Sequence, residues 1–346
     1  MFATSWPELL TRLVRRTDLS ADETAWAMQQ ILSGEATSAQ VAGFLVALHS
    51  KGETIDELTG LSQTMLSFAT PIALTGDAVD IVGSGGDRAH TVNVSTTAAI
   101  AAAASGARVV KHGNRAASSA SGAADVLEAL GVVLDLTPGQ QAQVIDQVGI
   151  GFLFAAHYHP AFRHAAAARA ELGISTTFNL LGPLTPPGGP RAHAVGVADP
   201  RMVELVAGVF AGRGDRGLVF HGGDGLDELT TTTTSRVWLM ADGEVSEATL
   251  DPADLGIPRA TVAALVGGSP AHNAQVVRDV AAGATGPVAD IVALNAAAGL
   301  LAYAGPRHQQ GLAEQLAPQL DRVRQSMADG SMASLLDRWV SATRAA

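Results

Sequence analysis

The chain has 346 residues, 47% hydrophobic and 16% charged, enough to bury a large core and unlike a disordered segment. Its 22 Lys and Arg against 33 Asp and Glu leave a formal charge of −11, which repels nucleic acid and anionic membrane alike. No cysteine is present, so disulfides, thiolate catalysis and Cys-ligated metal centres are excluded.

Residues 1–16 include Pro7 and Glu8 and hold no continuous apolar run, so no secretory signal is expected. The stretch 98–110 reads as the most apolar, but it is mostly alanine, is broken by Ser105-Gly106, and is too short to span a bilayer. A cytoplasmic location is expected. Over residues 1–70, Ser5-x-x-Glu8, Ser20-x-x-Glu23, Thr37-x-x-Gln40 and Thr54-x-x-Glu57 each fit the capping box, in which two side chains satisfy orphan backbone N–H groups. Apolar residues follow at helical spacing, for example Val41, Phe44, Leu45 and Leu48, and a small all-helical unit is predicted.

From about residue 78 short apolar runs at 78–82, 108–110, 151–154, 194–197 and 217–220 alternate with helical stretches, including 138–148 and 200–212. That alternation predicts an α/β fold with a mostly parallel central sheet flanked by helices. An Asp242-Gly243 turn inside 237–250 predicts a hairpin, and the five threonines from Thr230 to Thr234 read as an extended lead into it.

Several segments carry chemistry. The strand at 80–82 runs into Gly83-Ser-Gly-Gly-Asp87, a turn that lets backbone N–H groups approach phosphate oxygens; with Arg88 where a third glycine belongs, it is not a dinucleotide fingerprint. Asn93-Val-Ser-Thr-Thr97 precedes an Ala-rich helix, where Ser and Thr serve either as plain caps or as an anion site. Lys111-His-Gly-Asn-Arg-Ala-Ala-Ser-Ser119 is either a solvated basic loop or a ligand loop. Between Asp87 and Asp125 there is no acidic residue, yet Arg88, Arg108, Lys111 and Arg115 lie there, and a polyanionic ligand explains such an island. Asp224-Gly-Leu-Asp227-Glu228 follows a strand, where adjacent carboxylates are either surface charges or a hard-oxygen Mg²⁺ site. Arg169, downstream of His157-Tyr-His-Pro160, can offer a bidentate fork to a carboxylate.

In this order, these motifs together with Asn179-Leu-Leu-Gly-Pro-Leu184 resemble the anthranilate phosphoribosyltransferase family over nearly the whole chain. The resemblance implies a small helical domain over 1–72, joined by helices from about 170–190, beside a phosphoribosyl-pyrophosphate-binding α/β domain over 73–346. It implies that Gly83, Gly86, Asp87, Thr91, Asn93, Val94, Ser95 and Thr96 hold phosphoribosyl pyrophosphate. Lys111, His112, Gly113, Asn114, Arg115, Ala116, Ala117, Ser118 and Ser119 close over the same substrate, with Ala123 in reach. Ser95, Asp227 and Glu228 contact Mg²⁺. Anthranilate lies near Gly83, His112, Asn114, His159, Arg169 and Gly182, with catalytic roles for Lys111, Asn114 and Arg169. Ser84, Ser175 and Pro187 stand where many relatives carry threonine, arginine and asparagine. A homodimer through the helical domain is implied, with no nucleic-acid or membrane partner. The alternatives are a pyrimidine-nucleoside phosphorylase, against which the 111–119 segment speaks, and a non-catalytic nucleic-acid-binding relative, against which the charge speaks.

Overall fold

The computed structural model describes residues 4–115 and 121–346, and the description below concerns these residues. Four helices open the chain: α1 (Trp6–Val14), α2 (Ala21–Leu32), α3 (Ser38–Lys51) and α4 (Ile55–Ser67). Ser20, Thr37 and Thr54 form complete capping boxes with Glu23, Gln40 and Glu57. Ser5 does not: its side chain makes no cap bond, and Pro7 in the first turn removes one of the donors that such a cap serves. Glu57 is fully buried and accepts from Leu19 N–H (2.9 Å), Thr54 N–H (2.8 Å) and Lys51 Nζ (2.9 Å), so its charge is satisfied on every side.

Seven strands form one sheet: β1 (Val79–Gly83), β2 (Val109–Gly113), β3 (Ile150–Phe154), β4 (Ala192–Gly196), β5 (Arg216–Gly222), β6 (Ser235–Ala241) and β7 (Glu244–Leu250). Their order is β3-β2-β1-β4-β5-β6-β7, parallel through β5 and antiparallel for the last two pairs. Asp242 and Gly243 both take positive φ (55° and 78°), as a two-residue hairpin turn requires. The predicted parallel sheet and hairpin are both present.

The remaining helices are α5 (Val94–Ala104), α6 (Ala123–Leu130), α7 (Pro138–Val148), α8 (Ala155–Tyr158), α9 (Arg163–Leu172), α10 (Phe178–Leu184), α11 (Val203–Gly212), α12 (Pro270–Ala281), α13 (Pro287–Ala304), α14 (Leu312–Ala328) and α15 (Ser331–Ala345). The helix expected over 200–212 begins at Val203 because Asp199 and Pro200 form a separate turn, with Met202 N–H bonded to Asp199 O. A longer apolar element than 98–110 exists. By length and composition α13 is apolar enough to cross a membrane, but it is mostly buried against α5, α14 and the sheet and serves as a core helix.

One apolar cluster joins Leu9, Met28, Phe44 and Leu48 of the first helices to Ala165 and Ala168 of α9 and Phe178 and Leu181 of α10. A second spans the sheet, α5 and α13. Because α9 and α10 pack with the N-terminal helices, the residues they carry face the C-terminal strand ends from the opposite wall.

Candidate active site

The strand order reverses at β1, with β2 and β3 built out on one side of it and β4 and β5 on the other, which opens a crevice at the carboxyl ends of these strands. A cleft of about 690 Å³ lies there, between the β1, β2 and β5 loops on one side and α8 to α10 on the other. Every site residue expected from the sequence that falls among the described residues lines it, from Gly83 to Glu228. Ala116, Ala117, Ser118 and Ser119 lie outside the described residues.

Asp87, Asp227 and Glu228 bring carboxylate oxygens within 4.8 Å of one another. Asp227 and Glu228 are buried, and Glu228 Oε2 has no hydrogen-bond partner. Burial, reinforced by Asp87, pushes the Asp227 carboxyl up to about 6; burial and then Asp227 raise Glu228 well above the usual carboxylate range. Converging buried oxygens of one charge with an unpaired atom among them fit a hard divalent cation. Sequence motifs give Asp227 and Glu228; Asp87 joins them because the β1 loop meets the β5 loop, where Gly85 N–H donates to Asp227 Oδ2 at 2.6 Å. Ser95, also expected at the metal, has its hydroxyl 3.2 Å from Lys111 Nζ.

The carboxylate loop is held from behind. Asn295 of α13 takes Leu229 N–H (3.0 Å) on its carbonyl and donates to Leu229 O (2.9 Å). The threonine run, expected as a plain extended lead, is instead a loop of bends: Thr230 and Thr232 both donate to Asp224 Oδ2, and the strand starts at Ser235. In front, Gly196 leaves no room: a Cβ there would sit 1.5 Å from Asp227 O. Gly196→Ala therefore must displace the loop backbone. Its expected effect is a roughly hundredfold fall in kcat with the helical signal retained, the scale of an ångström-sized misplacement; wild-type turnover in this variant would contradict the assignment.

Lys111 is 2% exposed and donates to Ile81 O (2.5 Å). Asp80 beneath it is fully buried, takes His112 N–H on Oδ1 (3.1 Å), and leaves Oδ2 without a hydrogen-bond partner. Burial pulls the Lys111 ammonium down to about 8 and pushes Asp80 up to about 7, each opposed by the other's charge. Lys111→Met strands Asp80 without its counter-charge and is expected to cost about 3 kcal/mol by denaturant titration. Adding Asp80→Asn should restore most of that; no restoration would show that the pair is not coupled.

His112 and His159 pack edge to face at 5.1 Å. His112 Nδ1 bonds Gly182 O (3.0 Å) and His159 Nε2 bonds Thr185 O (2.9 Å); carbonyls only accept, so these nitrogens carry the protons. Burial keeps both rings neutral, lowering His112 to about 3 and His159 below its ordinary value. The other nitrogens, His112 Nε2 and His159 Nδ1, are buried acceptors without a partner. Arg169 stacks on Phe162 (5.0 Å), and no carboxylate of the described residues pairs with it, so its guanidinium is available to an anion. Arg115 also lines the cleft, but its guanidinium is held by Asp125 and Glu128.

This combination defines a class: a helical bundle beside an α/β domain whose strand ends gather a glycine-rich turn, a helix N-terminus, buried carboxylates and, across the cleft, an arginine with no carboxylate partner among the described residues. Residues 7–69 match the family model "Glycosyl transferase family, helical bundle domain", and residues 75–333 match "Glycosyl transferase family, a/b domain". The chain is 58% identical to the anthranilate phosphoribosyltransferase of a Nocardioides species, over 98% of this chain and 99% of that one. It superposes on the crystal structure of the Thermus thermophilus anthranilate phosphoribosyltransferase with a TM-score of 0.90, at 40% identity, covering 97% of this chain and 99% of that one. The Saccharomyces cerevisiae anthranilate phosphoribosyltransferase, solved in complex with phosphoribosyl pyrophosphate and Mg, shares the fold with a TM-score of 0.88 at 24% identity, covering 99% and 98%. The chain belongs to the anthranilate phosphoribosyltransferase family.

Proposed function

We propose that the protein transfers the 5-phosphoribosyl group from phosphoribosyl pyrophosphate to the amine of anthranilate, giving N-(5-phosphoribosyl)anthranilate and pyrophosphate. The observation that carries this reading is one cleft with two chemically distinct walls. On the sheet side lie the Gly83–Asp87 turn, the α5 N-terminus, Lys111 and the carboxylate trio, suited to a phosphorylated sugar and its cation. On the helical side lie Arg169 and His159, with the ring of His112 reaching from β2 to Gly182 O and His159, together suited to an aromatic amino acid with a free carboxylate.

Asp87, Asp227 and Glu228 would hold Mg²⁺, with Ser95 beside them. When bound, Mg²⁺ supplies positive charge that offsets the charge developing on the pyrophosphate. Lys111 and the free N–H groups at the start of α5 aim at the same anion. Arg169 grips the anthranilate carboxylate and, with the neutral histidine pair, turns the amine towards the ribose C1. An aromatic amine is neutral near pH 7, so attack needs no prior deprotonation, and the two histidine acceptors are placed to receive an amine N–H. Positioning and electrostatics therefore supply most of the rate.

The shared cluster of α1–α4 with α9 and α10 supports a helical domain over 1–72 completed by those two helices, and an α/β domain from 73 onward. Association of two copies through the helical domain is part of this reading. Purified protein mixed with anthranilate, phosphoribosyl pyrophosphate and Mg²⁺ should lose anthranilate fluorescence only when all three are present. Folded protein that leaves the fluorescence unchanged would overturn the reading and return the phosphorylase to consideration.

A further inference from the structure

Asn273, on α12, is 2% exposed and does not line the cleft. Its side chain belongs to a hydrogen-bond relay whose direction is fixed at both ends. Gly268 N–H can only donate, and it donates to Asn273 Oδ1 at 2.8 Å. Asn273 Nδ2 is left to donate to Asn93 Oδ1 at 2.7 Å. Asn93 Nδ2 in turn donates to the Ser121 carbonyl at 3.0 Å, and a carbonyl can only accept. Neither amide can be turned over without breaking two bonds.

Asn93 sits at the N-cap of α5, where an asparagine ordinarily bonds the first-turn N–H groups of its own helix. Here it makes no cap bond. The N–H groups of Ser95 and Thr96 accordingly have no hydrogen-bond partner among the described residues, and both residues line the cleft. Unoccupied donors at a helix start are what an anion needs.

We propose that Asn273 is a positioning residue for phosphoribosyl pyrophosphate. By holding Asn93 turned towards Ser121, it keeps the α5 N–H groups open for the anion and anchors the chain where it re-enters α6. This deepens the proposed activity and rests on that reading for the identity of the anion. The rival is a purely structural role, in which Asn273 only pins Gly268 in a segment that meets the cleft through the Thr91–Val266 bridge.

Asn273→Asp separates the two. The carboxylate still accepts from Gly268, so a structural pin survives. Its second oxygen faces Asn93 Oδ1, so the relay reverses and Asn93 is driven to turn, either onto its own helix or oxygen-first towards Ser121. We would measure phosphoribosyl pyrophosphate affinity by calorimetry, and both KM values by steady-state kinetics, for full-length wild type and N273D. The expected result is a roughly tenfold weaker Kd and higher KM for phosphoribosyl pyrophosphate, with the anthranilate KM within about twofold and a melting temperature close to wild type. Wild-type phosphoribosyl pyrophosphate affinity in N273D would overturn the proposal, as would an equal loss for both substrates. If N273D does not fold, Asn273→Ala takes its place: it also removes the Gly268 acceptor, so a lower melting temperature is expected, and unchanged phosphoribosyl pyrophosphate affinity or an equal loss for both substrates would still overturn the proposal. Wild-type protein that binds phosphoribosyl pyrophosphate but does not turn over would instead count against the proposed reaction, and the comparison of affinities would still decide the role of Asn273.

Discussion

Changing Asp227 to Asn and Glu228 to Gln together is expected to lower kcat at saturating substrates by about 10³-fold, roughly 4 kcal/mol of charge stabilisation lost with the cation. Anthranilate affinity should change little, because Arg169 and His159 lie on the other wall. Stability should move the opposite way. With a chelator present, two buried carboxylates repel each other and Asp87, and neutral amides remove that strain. The double variant should therefore melt at or above the wild type without metal, and below it with excess Mg²⁺. The pH dependence has a definite sign. Asp227 titrates near 6 when folded, above its unfolded value of 3.8, so the folded state binds the proton more tightly. Stability conferred by that proton is present at low pH and is lost as pH rises through about 6. Metal-free wild type should thus lose stability relative to the double variant as pH rises from about 4 to about 6, and excess Mg²⁺ should reverse the sign of the gap. A gap independent of pH and metal would dismiss the carboxylate site.

Arg169→Ala is expected to raise the anthranilate KM by about a hundredfold, near 3 kcal/mol for a charged, two-pronged hydrogen bond, with the phosphoribosyl pyrophosphate KM unchanged. Aniline, which lacks the carboxylate, provides the control. Wild type and variant should use it equally poorly, and a variant that loses the same factor on both amines would show that Arg169 acts on packing rather than on the carboxylate. Arg169→Lys should recover only part of the loss, since an ammonium cannot present the planar fork. Folding should not suffer: burial already lowers the Arg169 pKa, and no carboxylate of the described residues compensates it.

Much of this was legible in the chain because it is local. Ser20, Thr37 and Thr54 each carry both halves of a capping box within four residues, and Asp242-Gly243 supplies both positive-φ positions of its hairpin. Three cleft segments were legible for a related reason: the 83–87 turn, the segment from Lys111 and the carboxylate loop each lie at or just after the end of a strand, which places them at the carboxyl edge. What was hidden depends on partners far away in sequence. The threonine run reads as a strand until Asp224 is seen to collect two of its hydroxyls. Asp87 reads as part of a phosphate turn until the sheet order sets it against Asp227 and Glu228. Asn273 gives no signal at all, because its meaning lies in the polarity of Gly268, Asn93 and Ser121.

The bond from Gly85 N–H to Asp227 joins residues 142 positions apart. At ribosomal speeds of roughly 5–20 residues per second, the glycine turn waits about 7–28 s for its carboxylate partner to be made. The N-terminal helices carry their own caps and wait only for α9 and α10, which are made before β5. Turnover in a growing or refolding chain is thus a report on completion: helical signal returns early, and activity only after β5 has docked beside β4 and brought the last wall of the cleft into place.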